Sequence, residues 1–273
     1  MPHISPLSRA LARIVRDAFI AWAVVGCADS SVAWNEIRAV KGPAAGTLSA
    51  DGTFKADSLA TLASRVAPPE SNVCPGSLVL AHSGRRLYAA WWRVRPDSGA
   101  LLRAAHTEDG GHTWSPPTSV DSTDQSVSGC NRTPPGIAAD SASGYVHVVF
   151  ALLGREGPGL FYAHSMDAGA TFHSAVPIFY GDRLGRATVA ADGDAVAVAF
   201  EDPNSRSLRV GLALSRTMGH IFEERLLPIS DDNEIASRPI VAVKGKQLAV
   251  AWLRGDPSDD RPDALAVRTG TLP

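Results

Sequence analysis

The chain has 273 residues, with 26 Lys plus Arg against 28 Asp plus Glu and a formal charge of −2. A hydrophobic share of 45% with 20% charged residues excludes a disordered chain, and the balanced charge gives no electrostatic ground for a nucleic-acid or anionic-membrane partner. Four of the cations are lysines and 22 are arginines, which are always charged and forked toward carboxylates or phosphates; 24 glycines and 19 prolines fit many short strands better than long helices.

In chain order, residues 1–27 stand apart from the fold. Arg9, Arg13 and Arg16 make a cationic start, and Ala18 to Gly26 is an apolar core. That core is too short to cross roughly 30 Å of hydrocarbon as a helix, but it suits a secretory segment. It ends in Val24-Val25-Gly26-Cys27, which resembles the bacterial lipobox, whose cysteine carries lipid. The alternatives are plain secretion and a misassigned start codon. The lipid-anchored reading puts the protein outside the cytoplasm, on a bacterial membrane facing the periplasm or the cell surface. Cys74 and Cys130 then remain as an even pair in an oxidising compartment. They are read as a disulfide, with two buried thiols or a metal role as the alternatives.

Self-comparison sets the architecture. Arg186 to Phe200 (RATVAADGDAVAVAF) aligns without a gap on Arg238 to Trp252 (RPIVAVKGKQLAVAW). Pro134 to Phe150 and Ser77 to Trp91 follow the same plan: an apolar strand, a Gly-containing turn and a second strand closing on an aromatic, Trp91, Phe150, Phe200 or Trp252. A third strand follows in each unit, at Leu101–His106, Leu160–His164, Leu208–Leu214 and Ala264–Arg268. After the third strand come Thr107 to Trp114 (TEDGGHTW) and Ser165 to Phe172 (SMDAGATF); Ser215 to Phe222 (SRTMGHIF) is a decayed copy with Thr217 in place of the Asp.

This pattern resembles the Asp-box of the sialidase and BNR-repeat propellers, over roughly residues 75 to 270. The box residues, Asp109, Gly111, Thr113 and Trp114 with Asp167, Gly169, Thr171 and Phe172, are read as structural: carboxylate to turn amides, glycine at positive φ, aromatic between strands. His106 and His164, just before the boxes, are read as packing residues. Short units of four strands that cannot cover their own faces predict an all-β fold, a β-propeller of four-stranded antiparallel blades. Four blades are countable, or five if residues 30–75 contribute most of another. The division is 1–27 as leader, 28–75 as an N-terminal segment with the ring-closing strand, and 76–273 as blades. The last unit lacks an outer strand. Trp34–Val40 and Phe54–Leu62 both qualify to supply it, and Phe54–Leu62 is preferred for its connector length.

Antiparallel alternation puts the starts of first strands and the ends of second strands on one axial face, with the boxes on the other. The axial face collects Arg132, Arg186, Arg238, Arg93, Arg254 and Asp202, together with Glu201 and Trp92. Two readings stand side by side: the arginines converge on an anionic ligand, or they pair with nearby acids and fill the channel. The resemblance implies sialidase chemistry, with three arginines on the substrate carboxylate and a tyrosine nucleophile assisted by a glutamate. Glu201 is the candidate glutamate. Tyr180 is the last tyrosine and precedes both Arg186 and Arg238, so the nucleophile is not found in position. Glu201 and a carboxylate such as Asp97, Asp182 or Asp256 are the alternative route. No metal motif and no cofactor are expected. The expected role is binding of a glycan, another anionic small molecule or a protein partner; the alternative is an exo-sialidase-type glycoside hydrolase.

Overall fold

The computed structural model describes residues 32–40, 70–183, 185–202, 204–205, 207–255 and 262–273. The leader with Cys27, the candidate strand Phe54–Leu62 and Asp256 lie outside the described residues. Strands β1 (Ala33–Trp34) and β2 (Arg38–Val40) precede four consecutive units. Blade I holds β3 (Val79–Ser83), β4 (Arg86–Val94), β5 (Ala100–Thr107) and β6 (Thr118–Asp121). Blade II holds β7 (Gly136–Ala139), β8 (Val146–Gly154), β9 (Gly157–Ser165) and β10 (Val176–Tyr180). Blade III holds β11 (Ala187–Asp192), β12 (Ala195–Glu201), β13 (Val210–Ser215) and β14 (Glu224–Pro228). Blade IV holds β15 (Ile235–Lys244), β16 (Gln247–Gly255) and β17 (Pro262–Thr271). Each is an antiparallel meander, and the whole is a β-propeller.

The outer edge of blade IV is where the sequence preference fails. Ala33 and Trp34 pair with Thr271 and Gly270, and Arg38 to Val40 pair with Val267 to Leu265. The Trp34–Val40 candidate therefore fills the position. A Cβ on Gly270 would lie 2.8 Å from the Trp34 ring, so the glycine lets the indole lie flat on the strand. Connector length misleads here because long loops cost only slowly more to close.

The repeat explains the core. Phe150, Phe200 and Trp252 each plug the seam toward the preceding blade and are buried. Around them gather Trp92, Leu102 and Phe161 in the I–II seam, Val149, Tyr162 and Val198 in the II–III seam, and Leu212, Leu214 and Leu248 in the III–IV seam. Each such side chain contributes roughly 1.5–3 kcal/mol by leaving water. Trp91, their counterpart in blade I, is covered by Val73, Leu78 and Trp114, and its indole N–H donates to Glu70 at 2.9 Å. Cys74 and Cys130 are joined in a disulfide that ties the entry of blade I to the entry of blade II.

The turns after β5, β9 and β13 share one geometry. Asp109 accepts the Thr113 N–H at 2.9 Å and its hydroxyl at 2.6 Å; Asp167 accepts the same two groups of Thr171 at 2.8 and 2.6 Å. The Thr107 and Ser165 hydroxyls accept the N–H groups of Gly111 and Gly169 at 3.1 and 2.8 Å. Those glycines sit at φ +95° and +85°, where a side chain is strained. In the third turn the Thr217 hydroxyl accepts the Ile221 N–H at 2.9 Å, so the loop keeps its shape with one acceptor where a carboxylate has two.

Candidate functional site

At the axial end, β11 and β15 begin side by side, and Glu201 closes β12 beside them. Its Oε2 accepts the Arg186 backbone N–H and its Oε1 the Arg238 backbone N–H, both at 2.8 Å. Glu201 also donates its own N–H to the Arg186 carbonyl at 2.9 Å. The carboxylate fits because residue 185 is glycine: a Cβ there would come within 2.5 Å of the Glu201 side chain. Arg238 sits at φ +53° where β15 slips register between Ser237 and Ile240. A charge-assisted bond to its amide offsets the cost of that backbone.

Both side chains stay exposed, and neither guanidinium has a hydrogen bond or ion pair with another described residue. Among the described residues, two guanidinium groups without an acid partner thus belong to arginines whose amides are held on a single carboxylate. Glu201 itself accepts one of these amides through each oxygen, which makes it the bracket for the backbones of the two arginines.

The other four candidates are engaged elsewhere. The Arg132 side chain is 6% exposed; it donates to Asp124 at 2.7 and 2.9 Å, to the Ser126 carbonyl at 2.6 Å and to the Gly129 carbonyl, and lies 5.8 Å over the Trp92 ring. It lines a cavity of about 190 Å³ with Asp124, Asn131 and Thr133, but its donors face inward, so it is a loop anchor and not a ligand clamp. Asp124, hidden among loop polars in the sequence, is the residue that takes it. Arg93 pairs with Glu70 at 3.5 Å, and Arg254 pairs with Glu234 at 3.0 Å. Asp202 is a loop cap that accepts the Asn204 N–H at 2.9 Å.

Those pairs reveal a repeated device. Glu70 accepts the Trp91 indole N–H and faces Arg93; Glu234 accepts the Trp252 indole N–H at 2.9 Å and faces Arg254. The signal was present as Trp-x-Arg at 91–93 and 252–254, each with a glutamate upstream. A buried indole N–H needs an acceptor, and the arginine compensates the acceptor's charge.

Two of the four tyrosines have their hydroxyls occupied. Tyr162 is buried with its hydroxyl 2.6 Å from His147 Nδ1, and burial pushes its phenol up. Tyr145 lies just before β8, not within a strand, and its ring is parallel to that of His164. Tyr180 donates to Glu156 at 2.9 Å, which raises its phenol. Among the described residues no three His, Cys, Asp or Glu side chains converge as a metal centre, and no helix is long and apolar enough to cross a membrane.

No protein-family model matches the sequence, and no curated protein matches it significantly. Similar solved structures include a protein of unknown function from Dyadobacter fermentans, at 14% identity and TM-score 0.53, covering 70% of this chain and 52% of that one. A Hadza microbial sialidase is similar at 19% identity and TM-score 0.49, covering 72% and 46%. The NanB sialidase of Streptococcus pneumoniae is similar at 16% identity and TM-score 0.46, covering 73% and 30%. The chain spans about half the length of the first two. At such identity the Dyadobacter structure shows a shared fold and nothing of chemistry.

Proposed function

We propose that the protein binds an acidic saccharide, with the carboxylate of the sugar received by Arg186 and Arg238. One observation carries this reading: Glu201 anchors the backbone amides of Arg186 and Arg238, two exposed residues whose guanidinium groups have no acid partner among the described residues. Guanidinium forks match carboxylates, and a fixed pair adds geometric selectivity. The Asp-box resemblance supports a glycan as the carrier of that carboxylate. Titration calorimetry with sialic acid, glucuronic acid and their neutral parent sugars tests it. Binding of the acids alone is expected, weakened at least tenfold in Arg186→Ala and in Arg238→Ala. Equal binding of neutral sugars, or unchanged binding in both variants, overturns the reading.

A hydrolytic reading has one observation in its favour, the Tyr180–Glu156 hydrogen bond. Tyr180 ends the outermost strand of its blade, three strand spacings from the inner strand, or about 14 Å at ~4.8 Å each. That place on the outer edge, while Arg186 and Arg238 stand at the inner strands of the next two blades, favours binding over hydrolysis. Turnover of aryl sialosides that vanishes in Tyr180→Phe would reverse the order.

We further propose that the protein is exported and held to a membrane by lipid on Cys27, which the Cys74–Cys130 disulfide supports because such bonds persist outside the reducing cytoplasm. Cys27→Ala is expected to shift the protein into the soluble fraction; unchanged fractionation rejects the anchor.

A further inference from the structure

At the opposite end of the propeller from the arginines, three imidazoles stand in a row across the seam between blades II and III. The His164 ring centroid is 4.9 Å from that of His173 and 4.8 Å from that of His220. His173 returns beside His164 because its N–H donates to the His164 carbonyl at 2.9 Å after the second box turn. His220 comes from the next blade, where the decayed third turn presents it; the second turn has Ala170 at the equivalent place.

The three differ in a useful way. His164 is 8% exposed, and its Nε2 is buried with no hydrogen-bond partner. His173 and His220 are exposed, and their rings make no side-chain hydrogen bond with other described residues. Behind them His147, the register partner of His164 across β8 and β9, is fully buried with its Nε2 also unpartnered. A buried ring nitrogen without a partner destabilises the fold, and a lone pair donated to a cation removes that cost.

We propose that His164, His173 and His220 form a site for a borderline divalent transition ion such as Cu²⁺, Ni²⁺ or Zn²⁺, shared between two blades. Imidazole nitrogens at ~2.0–2.1 Å from one ion, at square or tetrahedral angles, put ring centroids roughly 4.5–5.2 Å apart. The two observed separations already fall in that interval. As the rings stand, their donors do not converge. The ion forms its site by turning the two exposed rings toward the fixed, buried His164. Imidazole donors without thiolate or a carboxylate cage select such ions over Ca²⁺ or Mg²⁺. This departs from the sequence-based expectation of no metal, because His220 reaches the group only through blade stacking.

The test uses tag-free protein, Cu²⁺ titration by calorimetry, and electron paramagnetic resonance to count coordinated nitrogens. One equivalent is expected to bind through three imidazole nitrogens. His173→Ala and His220→Ala should each weaken it at least tenfold and remove one nitrogen from the spectrum. His112→Ala, on the exposed first turn, should change neither readout. Both substituted rings are on the surface, so the variants fold. Wild-type affinity in both variants, an equivalent site in the double variant, or a spectrum with fewer than three nitrogens overturns the proposal.

Discussion

The Glu201 carboxylate holds the Arg238 amide at 2.8 Å across 37 positions of sequence, and with its other oxygen it holds the Arg186 amide at the same distance. One side chain thus joins the inner strands of two blades and ties together the backbones that carry two exposed arginines. Glu201→Ala removes both charge-assisted bonds, each worth about 1.5–3 kcal/mol, and frees the positive-φ backbone at Arg238. We expect a fall in thermal midpoint and at least a tenfold loss of acidic-sugar binding. Glu201→Gln keeps one acceptor and turns its amide donors toward the other N–H, so it should fall between wild type and Ala. Binding unaltered in Glu201→Ala, measured by the same calorimetry, would separate the carboxylate from the arginines' role.

The buried histidines predict a pH dependence. Burial lowers the His147 pKa from 6.5 to about 4; His164 and His220 add to the shift, and Asp140 opposes it. Folded His147 is therefore neutral where the unfolded chain already binds a proton. Stability is full above pH 6.5, declines as pH falls toward 4, and levels off below, with His147 contributing about 3 kcal/mol. His164 moves in the same direction, through burial and then through His220 and His173. Urea unfolding of EDTA-treated protein at pH 7, 5.5 and 4.5 measures the slope, and His147→Gln should flatten it.

The box carboxylates predict stability at lower pH. Burial pushes Asp167 up, but hydrogen bonds from Thr171 and Ser165 outweigh it and hold the carboxyl at about 2. Its contribution is present above the ordinary carboxylate range and lost as pH falls through about 2. Asp167→Ala and Asp109→Ala should each lower the urea midpoint at pH 7, through unpaired turn amides. In the decayed turn the reverse holds. Thr217→Asp combined with Ile221→Thr should raise the thermal midpoint by restoring the second acceptor and its donor.

The disulfide closes a loop with a sequence separation of 56. Chain-entropy arithmetic for that length gives about 4 kcal/mol of stabilisation. Reduction, or the Cys74→Ser/Cys130→Ser pair, should lower the urea midpoint accordingly. An unchanged midpoint would mean that the core seams alone hold blade I on blade II.

Local pattern alone carried the repeating meander, the plug aromatics and the box turns, because each depends on residues within one unit of roughly fifty. Alternation and a Gly turn specify a strand pair wherever they occur, and Asp109 or Asp167 meets its partners four residues away. Packing between units decided the rest. Arg132 was legible as one of three arginines at strand starts, yet Asp124 takes it inside; Glu201 was legible as a carboxylate near arginines, yet it binds their backbone and not their side chains. The edge strand at 33–40 and the meeting of His164 with His220 likewise depend on which strands become neighbours in space. A side chain's partner is set by its direction and by the blade that packs against it. Sequence periodicity reports the first of these, and only the assembled propeller supplies the second.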